Sequence, residues 1–381
     1  MSNVRVAYLI VTRSFPGLLK QIEYDRALTR DLDGIEWDHF TFLDSDEDSD
    51  LVQPLPPLLR GVFGRKLFAW IWLLRNSGRY DFVIVRHMEF DPFAPLFAWF
   101  VRNRVPVHHS KEVLELRLIR RGWKGRAASL LERFSGRIAV RTSRALLGVT
   151  REICDYQRDY RGLPPEFPVG FFPNGVIVDT MALLGDARPA DCVEIGFMCG
   201  AFAQWHGLDI LLEKLREYLD DSGHPAPVKL HLIGRLSEAQ LADVARVNAA
   251  AGAEIVIPHG RLKEDAYRRI LDRCHIGLGS LAMDRIEMEE GATLKVREML
   301  AMGLPLYSGH RDTALPAAFP YYKIGDGDFD GILAFARAVG SVPRDAVRDA
   351  ARPYIDKRVR IENLAEFLKG LKRAETTGMD R

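Results

Sequence analysis

Cysteine is scarce. The 381 residues hold four, Cys154, Cys192, Cys199 and Cys274. Their spacing forms no metal-ligand pattern and fits thiols packed as small apolar groups in a reducing compartment. Net charge is nearly absent: 53 basic against 52 acidic side chains leave +1, so there is no global attraction to nucleic acid. Long apolar runs are missing as well. The longest, Leu67 to Leu74 and Phe93 to Val101, fall well short of the roughly 20 residues that span a bilayer. No basic segment precedes a long apolar run at the start of the chain, so no secretory leader is expected. No short-period repeat is visible. The expectation is a cytoplasmic protein, or one peripheral to the cytoplasmic face of a membrane.

What is present is globular. Apolar residues make up 47% and charged residues 28%, and the length predicts two domains. Val4 to Val11, apolar except for Arg5, has strand length, as in a strand buried on both faces. A loop, Thr12 to Gly17, and a helix from about Leu18 to Leu32 follow. Further strands are read at Trp37 to Leu43, Asp81 to Arg86, Val105 to Val107, Ala145 to Thr150, Val193 to Cys199, Val228 to Ile233, Glu254 to Ile257 and His275 to Leu281. Helical stretches separate them, and the tail from Arg344 to Arg373 reads as helix. Regular alternation predicts an α/β protein with two parallel-sheet domains.

The most informative stretch runs from Glu287 to Asp312. Glu289 to Thr293 forms a loop, Leu294 to Met302 a helix, and Leu304 to Tyr307 a strand. Gly303 stands at the helix stop and Pro305 bars continuation. The helix N-terminus carries free N–H groups and a positive dipole end, which suit a phosphate. Lys295 and Glu298 are three apart and share a face. Glu290 and Glu298 can accept hydrogen bonds from hydroxyls, and Lys295 can neutralise a phosphate. Together they suit a nucleotide-sugar. A capped amphipathic helix with solvated carboxylates fits the same spacing.

Glu290, seven residues, Glu298, then Met302-Gly303-Leu304-Pro305 resembles the donor-site signature of retaining glycosyltransferase family 4. Leu294-Lys295-Val296-Arg297-Glu298 resembles its bacterial branch that builds capsule, exopolysaccharide or O-antigen. Trp205-His206-Gly207 with Asp209 and a Leu-rich helix is similar to the same branch. The resemblance covers most of residues 172–315 well and residues 1–171 loosely. It implies the GT-B fold, two Rossmann-like doubly wound domains facing across a cleft. It also implies a retaining transfer with no essential metal or cofactor, from a UDP- or GDP-linked sugar to a glycan or lipid-linked glycan. By the same carry-over Glu298 holds ribose hydroxyls, with Leu294 and Thr293 beside it. Glu290 contacts the transferred sugar, Lys295 and His206 stabilise the leaving diphosphate, and the Gly234 and Arg261 loops flank the nucleotide. The pattern departs in two places. Ala201 stands where relatives often carry Arg, and His206 where many carry Lys, so His206 is charged only if its pKa is high enough. The usually glycine-rich first loop keeps only Gly17, beside Arg13, Ser14 and Phe15; Lys20 and Gln21 follow. A nucleotide-sugar-binding partner subunit without activity and a sugar-nucleotide epimerase are the rival readings.

The turn Pro173-Asn174-Gly175 resembles the family's linker. Domains are therefore expected at 1–171 for the acceptor and 172–345 for the donor, with 346–381 crossing back. Strand-end loops make Arg86, His87, His109, Lys111 and Glu112 candidates to line the acceptor site. Residues 117–144 carry nine basic side chains and one acid, Glu132. From Lys124 on, Arg126, Arg133, Arg137, Arg141 and Arg144 fall on one stripe beside Ala127, Leu130, Leu131, Phe134 and Ile138. Trp123 sits at its start. This suits an anionic membrane surface, and equally a core helix with a basic exposed face. No nucleic-acid motif accompanies the charge.

Overall fold

The computed structural model describes residues 3–14, 18–45, 49–119, 122–221 and 227–379. The Phe15 to Gly17 part of the first loop, the Lys20 side chain, Arg120 and Arg121 lie outside the described residues. The chain divides into two units, residues 1–173 with 360–381, and residues 174–359.

The first unit runs β1 (Val4–Val11), α1 (Leu18–Arg30), β2 (Ile35–Phe42), α2 (Val62–Asn76), β3 (Phe82–Arg86), α3 (Ala94–Phe97), β4 (Arg104–His108), α4 (Glu112–Ile119), α5 (Trp123–Arg141), β5 (Leu146–Gly148), α6 (Arg151–Arg161) and β6 (Val169–Phe171). Its six-stranded parallel sheet has the order β2-β1-β3-β4-β5-β6. Both faces are covered, which is why Phe82 to Val85 of β3 and Val105 to Val107 of β4 read as apolar runs. Helix α2 lays Ala69, Trp70 and Leu73 on Ala7, Leu9, Val83 and Val85. Each such fully buried large side chain contributes about 1.5–3 kcal/mol. The Trp70 indole N–H donates to Asp91 at 2.6 Å, satisfying its one polar atom.

The second unit runs β7 (Val193–Ala201), α7 (Leu208–Asp221), β8 (Val228–Arg235), α8 (Glu238–Ala251), β9 (Val256–Gly260), α9 (Glu264–Leu271), β10 (Ile276–Leu278), α10 (Leu294–Ala301), β11 (Leu306–Ser308), β12 (Tyr322–Ile324), α11 (Phe329–Val339) and α12 (Arg344–Ile355). Its parallel sheet has the order β12-β11-β10-β7-β8-β9. Counted within the unit this is the Rossmann order, with its switch point between β7 and β10. Leu208, Leu211, Leu212 and Leu215 of α7 recur at helical spacing and pack on Phe197, Leu230 and Leu232. On the other face Val296, Met299 and Leu300 of α10 meet Val347, Ala351 and Ile355 of α12.

Helix α10 stops as its sequence requires: Gly303 has φ +85° and its backbone lies against Arg344, where a Cβ would be 2.3 Å from a carbonyl oxygen. The tail is not one helix. Asp356 takes an extended conformation between α12 and α13 (Lys357–Met379), and Val176 bridges to it. From Arg360 on, α13 belongs to the first unit, where Lys372 pairs with Asp81 and Arg144 with Glu375. Among the described residues no helix is long and apolar enough to cross a membrane.

Candidate functional site

At the second unit's switch point, the loops after β7 and β10 are fastened to each other. The Leu281 N–H donates to the His206 carbonyl at 3.0 Å, and the Ala282 N–H to that of Trp205 at 3.2 Å. Arg285 grips Asp209 through two bonds of 2.9 and 2.7 Å and donates to the Gln204 carbonyl. His206 is thereby held beside the first turn of α10.

Lys295 projects from that turn. Its ammonium lies 3.4 Å from the Cys199 thiol and 5.3 Å from the centre of the Phe197 ring. Burial pushes the Lys295 pKa down, and the Cys199 thiol only partly offsets this. Burial, with Lys295 adding repulsion, holds His206 at about 3. The His206 Nδ1 accepts from the Ala203 N–H at 2.8 Å, so its proton sits on Nε2. His206 is therefore a neutral donor, since the high pKa that a charge on it requires is absent. Thr293 is the N-cap of α10, but its hydroxyl is buried, unbonded and does not cap the helix. The first-turn N–H groups, including that of the exposed Leu294, gain no bond from it.

Glu290 stands at the base of the loop before α10. It accepts from the Thr313 hydroxyl at 3.3 Å, with the Arg311 guanidinium 3.6 Å away. The loop pairs with the segment after β11 through Gly291 N–H to the Arg311 carbonyl and Arg311 N–H to that of Glu289. Glu298, one turn into α10, is half-buried and its carboxylate bonds to no described residue. Burial raises its pKa, and Glu264 adds to this. Its charge in turn raises the pKa of Tyr267 on α9, after burial. Lys295, His206, Glu290 and Glu298 are thus gathered around one short helix. Gly234 abuts the same place for a packing reason: at φ +144°, a Cβ there would meet the Cys199 carbonyl oxygen at 2.1 Å. Arg261, just past β9, is exposed.

Two features have no counterpart in the sequence reading. One is His310, fully buried, with Nδ1 bonded to the Ser280 carbonyl and the Ser308 hydroxyl. Its ring packs on Gly291, its Nε2 has no partner, and burial, with Lys295 nearby, pushes its pKa down to about 4. The other is the buried Arg297–Asp312 pair, bonded at 2.7 and 2.8 Å. Arg297 also donates to the Asn174 carbonyl, and Asn174 to that of Ala292 at 2.8 Å. Helix α10 is so tied both to the segment carrying Thr313 and to the Pro173-Asn174-Gly175 turn. No metal-holding group of three or more His, Cys, Asp or Glu occurs among the described residues.

In the first unit, the strand ends carry a buried polar network. His87, after β3, bonds Glu132 of α5 at 2.9 Å and stacks on His108 at the end of β4. Glu132 also accepts from the Phe90 N–H at 2.7 Å and from Arg161 of α6 at 2.5 Å. Arg161 donates to Gln157, Gln157 to Glu112, and Glu112 bonds His108. Burial opposes a charge on His87, but Glu132 outweighs it and the pKa is raised. Burial, with Glu112 and Glu115 adding, pushes Glu89 up to about 7. Of the acceptor candidates, Glu112 is thus sealed inside the network, and Lys111 is paired with Glu152 at 2.7 Å. Arg86 is exposed, and His109 is half-buried.

No protein-family model matches the chain, and no curated protein does. Solved structures do. A lipopolysaccharide outer core galactosyltransferase, WaaB, in its apo form is 15% identical, with TM-score 0.62, 96% of this chain and 99% of that chain covered. Sucrose-phosphate synthase from Thermosynechococcus elongatus is 15% identical, with TM-score 0.64 and 98% and 100% covered. The trehalose-6-phosphate synthase OtsA is 13% identical, with TM-score 0.61 and 97% and 98% covered. The chain has the GT-B fold. At these identities the likeness is one of fold.

Proposed function

We propose that the chain is a retaining glycosyltransferase. It moves a sugar from a nucleotide-sugar, UDP- or GDP-linked, to a glycan or lipid-linked glycan in bacterial surface polysaccharide synthesis. The observation that carries this reading is the grouping at α10: a cation, a neutral donor and an uncapped helix N-terminus beside an unbonded carboxylate. The first three suit a diphosphate, and the last suits a pair of ribose hydroxyls. The structures that share the fold include a galactosyltransferase and two sugar-phosphate synthases, which supports the reading.

In this account the second unit binds the donor and the first the acceptor. Glu298 accepts from the ribose hydroxyls, flanked by Thr293 and Leu294. Glu290 accepts from a hydroxyl of the transferred sugar. The bond from the anomeric carbon to the diphosphate oxygen breaks, and the acceptor oxygen bonds to the same face of that carbon. The acceptor proton passes to the leaving diphosphate. Lys295, the His206 Nε2–H and the α10 N–H groups stabilise the charge that develops there, without a metal ion. The missing Arg at Ala201 favours the second reading, a donor-binding subunit without turnover. The test is a thermal-shift panel with UDP, GDP, ADP, CDP and their sugar conjugates, on wild type and Glu298→Ala. A shift confined to one base and lost in the variant is expected, since a ligand of the native state stabilises it. No shift with any nucleotide on a folded sample overturns the donor site.

A further inference from the structure

Helix α5 is turned inside out for a core helix. Its buried face is mostly small or polar, Gly125, Ala128, Ser129, Glu132, Ser135, Gly136 and Ala139, with Val140 the one larger apolar side chain. Close approach demands this, since a Cβ on Gly136 would fall 2.0 Å from Glu132 Oε1 and 2.7 Å from Arg161. Its outer face carries Trp123, Leu130 and Phe134, exposed by 75%, 65% and 63%. With Ala127 they recur at helical spacing and form one apolar stripe. A second exposed stripe, Arg126, Arg133 and Arg137, runs beside it, with Lys124 at the same end as Trp123. The helix's one acid, Glu132, is buried and already bonded to His87 and Arg161, so no acid of α5 offsets this charge. Arg144, expected on the stripe, lies past the helix end and pairs with Glu375.

We propose that this outer face of α5 docks on an anionic lipid surface. The apolar stripe would enter the headgroup boundary, and the flanking arginines would meet lipid phosphates. The charge pattern selects this occupant. A symmetric contact with a second copy would set one arginine stripe against another. Nucleic acid would supply phosphates and base faces but no hydrocarbon layer for the aliphatic Leu130, and no nucleic-acid motif accompanies the charge.

The test is flotation of the full chain with vesicles of phosphatidylcholine alone and with phosphatidylglycerol added. Binding is expected only with the anionic lipid, and to fall as salt rises. Arg126→Gln/Arg133→Gln/Arg137→Gln should weaken it on the order of a hundredfold, at about fivefold per basic side chain. Leu130→Ser/Phe134→Ser should weaken it as well. All five side chains are exposed, so both variants should unfold at the wild-type temperature. Glu298→Ala, on the other unit, should bind vesicles as wild type does, which keeps this test independent of the donor site. Equal binding by the variants, or equal binding to neutral and anionic vesicles, overturns the proposal. So does a dimer, abolished by Leu130→Ser/Phe134→Ser, in a protein that ignores vesicles.

Discussion

Replacing Asp312 by Ala would strand a guanidinium in the core of the second unit. Arg297 is fully buried and Asp312 is 4% exposed, and both bonds between them come from one guanidinium nitrogen. Removing one partner of a buried ion pair costs about 3–5 kcal/mol, because the charge left behind is desolvated and unpaired. Asp312 also accepts from the Ala314 N–H at 3.0 Å. Losing that bond adds about 1 kcal/mol. The bond from Arg297 to the Asn174 carbonyl survives and limits the damage. Against a domain stability of about 5–15 kcal/mol, the loss is large. With two units in the chain, global unfolding need not be two-state, so a local reading is needed. Hydrogen exchange of the α10 amides supplies it, and they should open more easily by the same amount. Replacing both partners, as in Arg297→Met/Asp312→Leu, leaves no buried charge and should recover most of the loss. A cost below about 1 kcal/mol for Asp312→Ala, or a double variant no better than the single, would refute the reasoning.

Two further predictions follow from charge burial. Glu298→Gln should stabilise the unliganded second unit while removing donor binding. The raised pKa means that ionised Glu298 is a penalty, full above that pKa and gone once pH falls below that of an unfolded glutamate. Urea midpoints should show the gain in alkali and its disappearance in acid; a variant less stable at alkaline pH contradicts this. His206 behaves oppositely. Held at about 3 in the fold against about 6.5 unfolded, it makes the second unit lose stability as pH falls between those values. His206→Asn should flatten that part of the thermal stability profile, and an unchanged profile would mean that His206 is not buried neutral.

Much of the fold could be read from the chain because parallel strands announce themselves as apolar runs. Val4–Val11 and Val193–Ala201 are examples, while the helix between Thr293 and Gly303 is marked by its stop signals. The strands β6 and β12 could not. Each has three residues, and β12 is half-exposed to exposed, so neither carries a buried run. Glu290, Lys295 and Glu298 were visible because one loop and one helix turn hold all three. The His87–Glu132–Arg161 network was not: its links span 45 and 29 positions, and only the sheet brings them together. His310 was hidden likewise, since only the pairing of β10 with β11 sets it beside Ser280. The periodicity of the basic helix fits both a core helix with a basic exposed face and a membrane-facing one; the structure adds that Leu130 and Phe134 are exposed.

The central claim is transfer from a nucleotide-sugar at α10. The most direct measurement is phosphorus and proton NMR of the protein with UDP- and GDP-sugars and a bacterial lipid-linked glycan fraction, the first reading diphosphate release and the second the anomeric configuration. The account predicts release of nucleoside diphosphate from one donor class, a matching gain of sugar by the glycan with its anomeric configuration kept, and neither with folded Glu298→Ala. Equal turnover by Glu298→Ala, or no diphosphate from any donor that the folded wild type binds, would contradict it.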